Sequence, residues 1–294
     1  MIRLGGPIFI DTARAAGAGE SHGADATDPQ LLVRKHQEKG FRAAYAPQVR
    51  LKERERVRDI RAAFEAADIT IAEVGYWENL LHADSAQAKV HRERMIEALA
   101  LAEELGACCA INSLGSCVAG AVKMHDGRNF TGDMFDAAVE NARYFIDTVK
   151  PKNTYFTYEL FPFNVNDSPE GILALADAID RERFGIHMDL VNLVNGPRNY
   201  YTSGAIIKRC VALFGDRIVS AHAKDIAMEM PSVSVILREV RPGLGNLDYA
   251  AYLQTLNKLR QTVPLMMEHL PTEAEYDLAA KYIREMADRE GITV

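Results

Sequence analysis

Eight times along the chain a short apolar run gives way to a longer segment whose apolar residues recur every three or four positions. The runs are IRLGGPIFI (2–10), FRAAYAP (41–47), ITIAEVGY (69–76), CCAINSL (108–114), YFTYELF (155–161), FGIHMDLV (184–191), IVSAHAKDI (218–226) and PLMMEHL (264–270). Each is short and rich in branched or aromatic residues, the signature of strands buried on both faces. Ser85 to Gly106 is the clearest helix between them: Met95, Leu99, Ala102 and Leu105 form one stripe, and Gly106 is a C-terminal stop. Cap signals open other helices at Asp28-Pro29, Thr131 to Asp133, Ser168-Pro169-Glu170 and Thr272, and Gly215-Asp216 close the sixth in a turn. The charge run from Lys52 to Arg61 reads as the solvated face of the second helix.

Alternating strands and helices favour parallel strands joined by right-handed crossovers. Eight such units in 294 residues predict an α/β fold, a single (β/α)8 TIM barrel forming one domain over residues 1–294. A doubly wound open sheet competes, but no GxGxxG or GxxxxGK[ST] follows the first run. Two connections are longer than the fold needs: residues 11–27, rich in Gly and Ala, and residues 227–247, which end in REVRPGLGN. Both follow strands, so in a barrel they lie at the ligand-binding C-terminal face.

The net charge of −7, from 34 basic and 41 acidic residues, argues against nucleic acid as a partner. Cys108, Cys109, Cys117 and Cys210 form no CxxC pair and read as reduced, hydrophobic thiols. The N-terminus does not read as a signal peptide, and no window reaches the roughly 18 apolar residues of a membrane span. The expected location is the cytoplasm.

Candidate chemistry sits at the ends of the last four runs. Tyr158-Glu159-Leu160, His187-Met188-Asp189, Ala221-His222-Ala223-Lys224-Asp225 and Met267-Glu268-His269 each put an ionisable group into apolar surroundings. A carboxylate in a buried strand is costly unless it is paired or bound to a metal. Any one of them can pair with a core Lys or Arg; four on successive strands point to a common ligand. Three carboxylates and one imidazole suit a hard or borderline divalent cation, Mn²⁺ first, with Mg²⁺, Co²⁺ or Zn²⁺ as alternatives.

These residues also carry a resemblance. The Glu of YELF, the Asp of HMDLVN, the HxKD of HAKDI, the PGLGNLDY segment and the Glu of MMEHL resemble the sugar phosphate isomerase/epimerase group of the xylose isomerase-like barrels, over nearly the whole chain. The resemblance implies one divalent metal held by Glu159, Asp189, His222 and Glu268. It also implies that Glu159 and Glu268 exchange a proton beside the substrate carbonyl, through an enediolate. Two positions depart from the ketose 3-epimerase pattern. Asn192 stands where a His is usual, three residues after the Asp, and Lys224-Asp225 where an Arg soon follows the His.

Other residues have two readings. His187 shares a strand face with Asp189 and contacts substrate, supports a metal ligand from behind or simply packs, while Lys224 shares a face with His222 and either binds substrate or pairs with Asp225 or a neighbour. Glu73 and Trp77 at the end of the third strand, Asn112 at the end of the fourth, and Asn192 are further candidates for substrate contact; Trp77 suits stacking on a sugar face. His22 is a candidate cover for the site, whereas His36, His82, His91 and His125 read as solvated and His269 as facing away. Glu239 and Arg241 reach either the substrate or each other, and Asn199-Tyr200-Tyr201 is a pocket wall or a homo-oligomer contact.

The expected function is a metal-dependent isomerase or epimerase of a sugar, keto-sugar or related polyol. A dehydratase or other β-eliminating lyase shares the enediolate and is the alternative. Phosphodiester cleavage lacks its extra histidines and basic groove, and retention of both glutamates argues against a binding protein without catalysis.

Overall fold

The apolar runs form a closed ring of parallel strands in this computed structural model, which describes residues 1–10, 27–118 and 125–294. The barrel strands are β1 (Ile2–Gly5), β2 (Ala43–Tyr45), β3 (Thr70–Gly75), β4 (Cys109–Asn112), β5 (Tyr155–Glu159), β6 (Phe184–Met188), β7 (Ile218–Ala223) and β10 (Val263–Met267). They close in the order β1-β10-β7-β6-β5-β4-β3-β2. The expected (β/α)8 barrel is the fold observed. Among the described residues no helix is long and apolar enough to cross a membrane.

Helices surround the ring and start where the sequence signals them. The side chains of Asp28, Ser168 and Thr272 accept from the backbone N–H groups of Leu31, Gly171 and Glu275, so α1 (Pro29–Glu38), α5 (Pro169–Ile179) and the helix Glu273–Arg289 begin with satisfied donors. Thr131 occupies the corresponding position of α4 (Gly132–Val149) without making that bond. The long helix α3 (Ser85–Leu105) ends at Gly106, whose φ of 70° is open to glycine at no steric cost. The outward side chains of the strands meet the helices in one core that includes Leu4, Ala110, Phe156, Ile186, Ala221 and Leu265.

Two ladder irregularities shape the interior. Between Ala44 and Tyr45 the β2–β3 register slips by one, so that Glu73 rather than Ala72 pairs with Tyr45. Between Ile186 and His187 the β6–β7 register slips likewise, so that Ser220 pairs with His187. Each slip inserts one residue and inverts the alternation beyond it. Ile71 and Ile218 therefore join the outer core, while Glu73 and Ser220, two residues further on, meet inside the barrel.

The structure corrects several boundaries. The run 2–10 leaves the ladder at Gly5, and the run 218–226 is two strands: β7 ends at Ala223, and β8 (Asp225–Met228) turns away. β8 pairs antiparallel with β9 (Leu237–Val240) in a hairpin within what reads from sequence as a plain connection. His36 is not solvated; it is 3% exposed on the inner face of α1, and its Nδ1–H donates to the Leu32 carbonyl at 2.8 Å. The Lys52–Arg61 run does form a largely exposed face, on α2 (Arg54–Ala66), with Val57 and Ile60 turned inward. All four cysteines are free thiols. Most of the 11–27 connection, with His22, lies outside the described residues.

Candidate metal centre

Steps of two along neighbouring strands lift inward side chains from one layer of the barrel to the next. His187 and Ser220 lie in the lower layer, and Asp189 and His222 stand above them. Met266 pairs with His222, which carries Glu268 to the same rim just past the end of β10. With Glu159 at the end of β5, four donor atoms of Glu159, Asp189, His222 and Glu268 lie within 4.8 Å of one another. Nδ1 of His222 faces all three carboxylates, at 2.8 Å from Glu268 Oε1, 3.1 Å from Glu159 Oε1 and 3.7 Å from Asp189 Oδ2.

Beneath this cluster a carboxylate crosses the barrel from β3. Glu73 Oε1 lies 3.1 Å from His222 Nε2, and Oε2 lies 3.0 Å from His187 Nε2 and 3.1 Å from the Ser220 hydroxyl. The two imidazoles meet edge to face with centroids 4.1 Å apart. At the upper edge the Lys224 ammonium lies 2.7 Å from Asp189 Oδ2, also contacts Glu268 Oε1, and is 3.7 Å from Glu239 on β9. Asn192 donates to Asp189 Oδ2 at 2.9 Å and to the Leu160 carbonyl at 2.8 Å.

The electrostatics follow from burial set against charge. Burial pushes the Glu159 carboxyl above its usual range. Burial acts the same way on Asp189, but the Lys224 and His222 beside it prevail and hold it low. Glu268 is also held low, its burial outweighed by His222 and then Lys224. Burial opposes charge on His222, yet Glu73 and Glu268 raise it well above an ordinary histidine. Three carboxylates around one imidazole nitrogen cannot all be served by a single proton, and Asp189 Oδ1 is buried without a hydrogen-bond partner among the described residues. Such a donor set fits a divalent cation: oxygen-rich, one imidazole, no thiolate.

The other sequence candidates are dispersed. Glu73 and His187 lie under the cluster, 2% and 0% exposed, rather than in a pocket wall. Asn112 is buried; its amide donates to the Tyr76 carbonyl and, at 3.0 Å, to that of Glu78, bracing the turn that leads to Trp77. Trp77 is itself exposed. Glu239 and Arg241 do not pair with each other: Arg241 binds Glu275 at 2.8 Å, and Glu239 approaches His269 Nδ1 at 3.1 Å. His269 does not face away, because the strand has ended at Met267 and its backbone turns to a φ of 58°. Its Nε2 lies 3.5 Å from Glu268 Oε2. Ser220 and the Glu239–His269 contact were missed; IVSAHA places Ser220 on the face of His222 and was signal enough for the first.

Solved structures share the architecture at low sequence identity. A xylose isomerase-like TIM barrel protein from Mycobacterium smegmatis, in complex with magnesium, aligns over 97% of this chain and 95% of its own at a TM-score of 0.66 and 14% identity. The probable 3-DHS dehydratase AsbF, involved in petrobactin synthesis in Bacillus anthracis, aligns over 98% and 100% at 0.67 and 14%. D-psicose 3-epimerase from Clostridium cellulolyticum H10, solved with D-tagatose, aligns over 90% and 94% at 0.64 and 14%. No protein of curated function matches the chain by sequence. A family profile described as xylose isomerase-like TIM barrel matches residues 20–286, and the chain belongs to that family.

Proposed function

We propose that this protein is a divalent-metal-dependent isomerase or epimerase of a sugar, keto-sugar or related polyol, with Glu159, Asp189, His222 and Glu268 as metal ligands. The observation that carries the reading is the convergence of those four donor atoms at the C-terminal rim, where barrel enzymes place their chemistry. Mn²⁺ is the favoured ion for this donor set, with Mg²⁺, Co²⁺ and Zn²⁺ as alternatives.

A cation held there supplies Lewis-acid stabilisation of the charge that develops on the substrate carbonyl oxygen. The chain supplies the proton transfer. Glu159 and Glu268 come from β5 and β10, with β6 and β7 between them, and so flank the centre from two sides. One carboxylate removes the proton beside the carbonyl and the other returns one, as acid and base. Asn192 holds Asp189, and Lys224 is engaged by Asp189, Glu268 and Glu239. An ammonium so occupied is a poor receptor for phosphate, which favours an uncharged polyol as substrate. Trp77 offers an exposed ring for an apolar sugar face.

The test is turnover of a panel of ketoses and 3-keto-sugars with Mn²⁺, followed by NMR and mass. Conversion at constant mass is expected, and a product lighter by water would move the reaction to elimination. Glu268→Gln is expected to lower both bound metal and kcat/KM, the latter by about 10²-fold or more. Unchanged metal content in that variant would sink the ligand assignment.

A further inference from the structure

Glu73 takes no part in the reading above, yet it is a carboxylate 2% exposed in the middle of a barrel. We infer that Glu73 is a positioning residue that fixes His222 with Nε2 protonated and Nδ1 turned to the metal, an inference that rests on the metal-binding reading. An ionised carboxylate only accepts hydrogen bonds. The nitrogens that face it, Nε2 of His222 at 3.1 Å and Nε2 of His187 at 3.0 Å, therefore both donate. A ligating imidazole is neutral and carries one proton, so with that proton on Nε2 His222 offers a metal the lone pair of Nδ1, the atom that the three carboxylates of the centre surround. A ligating histidine whose second nitrogen donates to a carboxylate is held in orientation and made a better ligand.

The barrel is irregular at the places this contact requires. Glu73 follows the slip on β3, and Ser220 and His222 follow the slip on β7. With regular alternation Glu73 would share the outward face of Ile71 and be lost to the interior. Ser220 gives the carboxylate a third donor at 3.1 Å. Glu73, His187 and His222 also lie close enough to hold an ion of their own. All three groups that face Glu73 are donors, however, which leaves it a structural anion, and one ion per chain is the expected stoichiometry.

The first measurement needs no variant. ¹⁵N-histidine NMR of the wild-type protein loaded with Zn²⁺ is expected to show His222 protonated at Nε2 and bound through Nδ1; binding through Nε2, or two ions per chain, would overturn the inference. The second is Mn²⁺ titration of Glu73→Gln, whose amide has the same shape but turns one acceptor into a donor. Mn²⁺ affinity is expected to fall by about 10–100-fold with the circular dichroism unchanged, and wild-type affinity would overturn the inference. His222→Gln and Glu268→Gln separate the two levels of argument. If both bind Mn²⁺ as the wild type does, the four-ligand reading fails; if they lose it while Glu73→Gln keeps it, only the role of Glu73 fails.

Discussion

Single buried polar residues in this barrel are held in different ways, and each has its own consequence. Lys224 and Glu73 are surrounded by opposite charge or donors, whereas among the described residues the His36 ring meets the Leu32 carbonyl and the edge of Phe64. Burial accordingly lowers the His36 pKa below its ordinary 6.5, with the Leu32 carbonyl opposing only in part. The unfolded chain then takes up the proton first as the pH falls through that value, and the folded state loses stability. Above 6.5 both states are neutral and nothing is lost. Melting temperatures from pH 7.5 to about 5.5 are expected to fall more steeply for the wild type than for His36→Leu; parallel profiles would remove His36 as the cause. Its burial was legible after all, since Leu32, Val33 and His36 lie on one helical face.

Among the elements, the β8–β9 hairpin depends on one side chain. The carboxylate of Asp225 accepts from the backbone N–H groups of Ile226 and Leu247 at 2.9 Å and of Gly243 and Gly245 at 3.0 Å, tying the return loop to the base of the hairpin. Gly243 has a φ of 94°, and a Cβ on Gly245 would overlap the carboxylate itself. Asp225→Ala is expected to destabilise the protein by about 3 kcal/mol in urea unfolding. It should also raise KM, because the hairpin carries Glu239 to Lys224 and His269. An unchanged unfolding midpoint would dismiss the clamp. None of this hairpin was legible: DIAM and LREV are four-residue strands, too short for a pattern, and IVSAHAKDI runs through the break at Lys224. The barrel strands were legible as apolar runs, though their ends were not. Leu160, Phe161, Leu190 and Val191 stay buried beyond the ladder, so hydrophobicity does not mark where hydrogen bonding stops. The four rim residues could be picked out because charge in a buried run is conspicuous. The use of Glu73 could not, because one inserted residue decides which way it faces.

For the molecule as a whole, the concentration of negative charge at the proposed centre would link stability to a bound cation. A cation that binds only the folded chain stabilises it by about 2.7 kcal/mol at a hundred times its Kd. Addition of Mn²⁺ is expected to raise the Tm by several degrees and EDTA to reverse it, with little response in Glu268→Gln. A Tm indifferent to Mn²⁺ in the wild type would speak against the centre. The same arrangement divides the rim unequally. β5, β6, β7 and β10 stand side by side and carry or directly precede all four proposed ligands, while among the described residues β1 to β4 contribute Glu73 alone, from below. The wall proposed to grip the ion is thus separate from the loops that follow β2 and β3 at the same end of the barrel. Those loops can be exchanged as a collar is changed on a fixed socket. Chimaeras that take them from relatives should trade one sugar for another while Mn²⁺ affinity stays where it was.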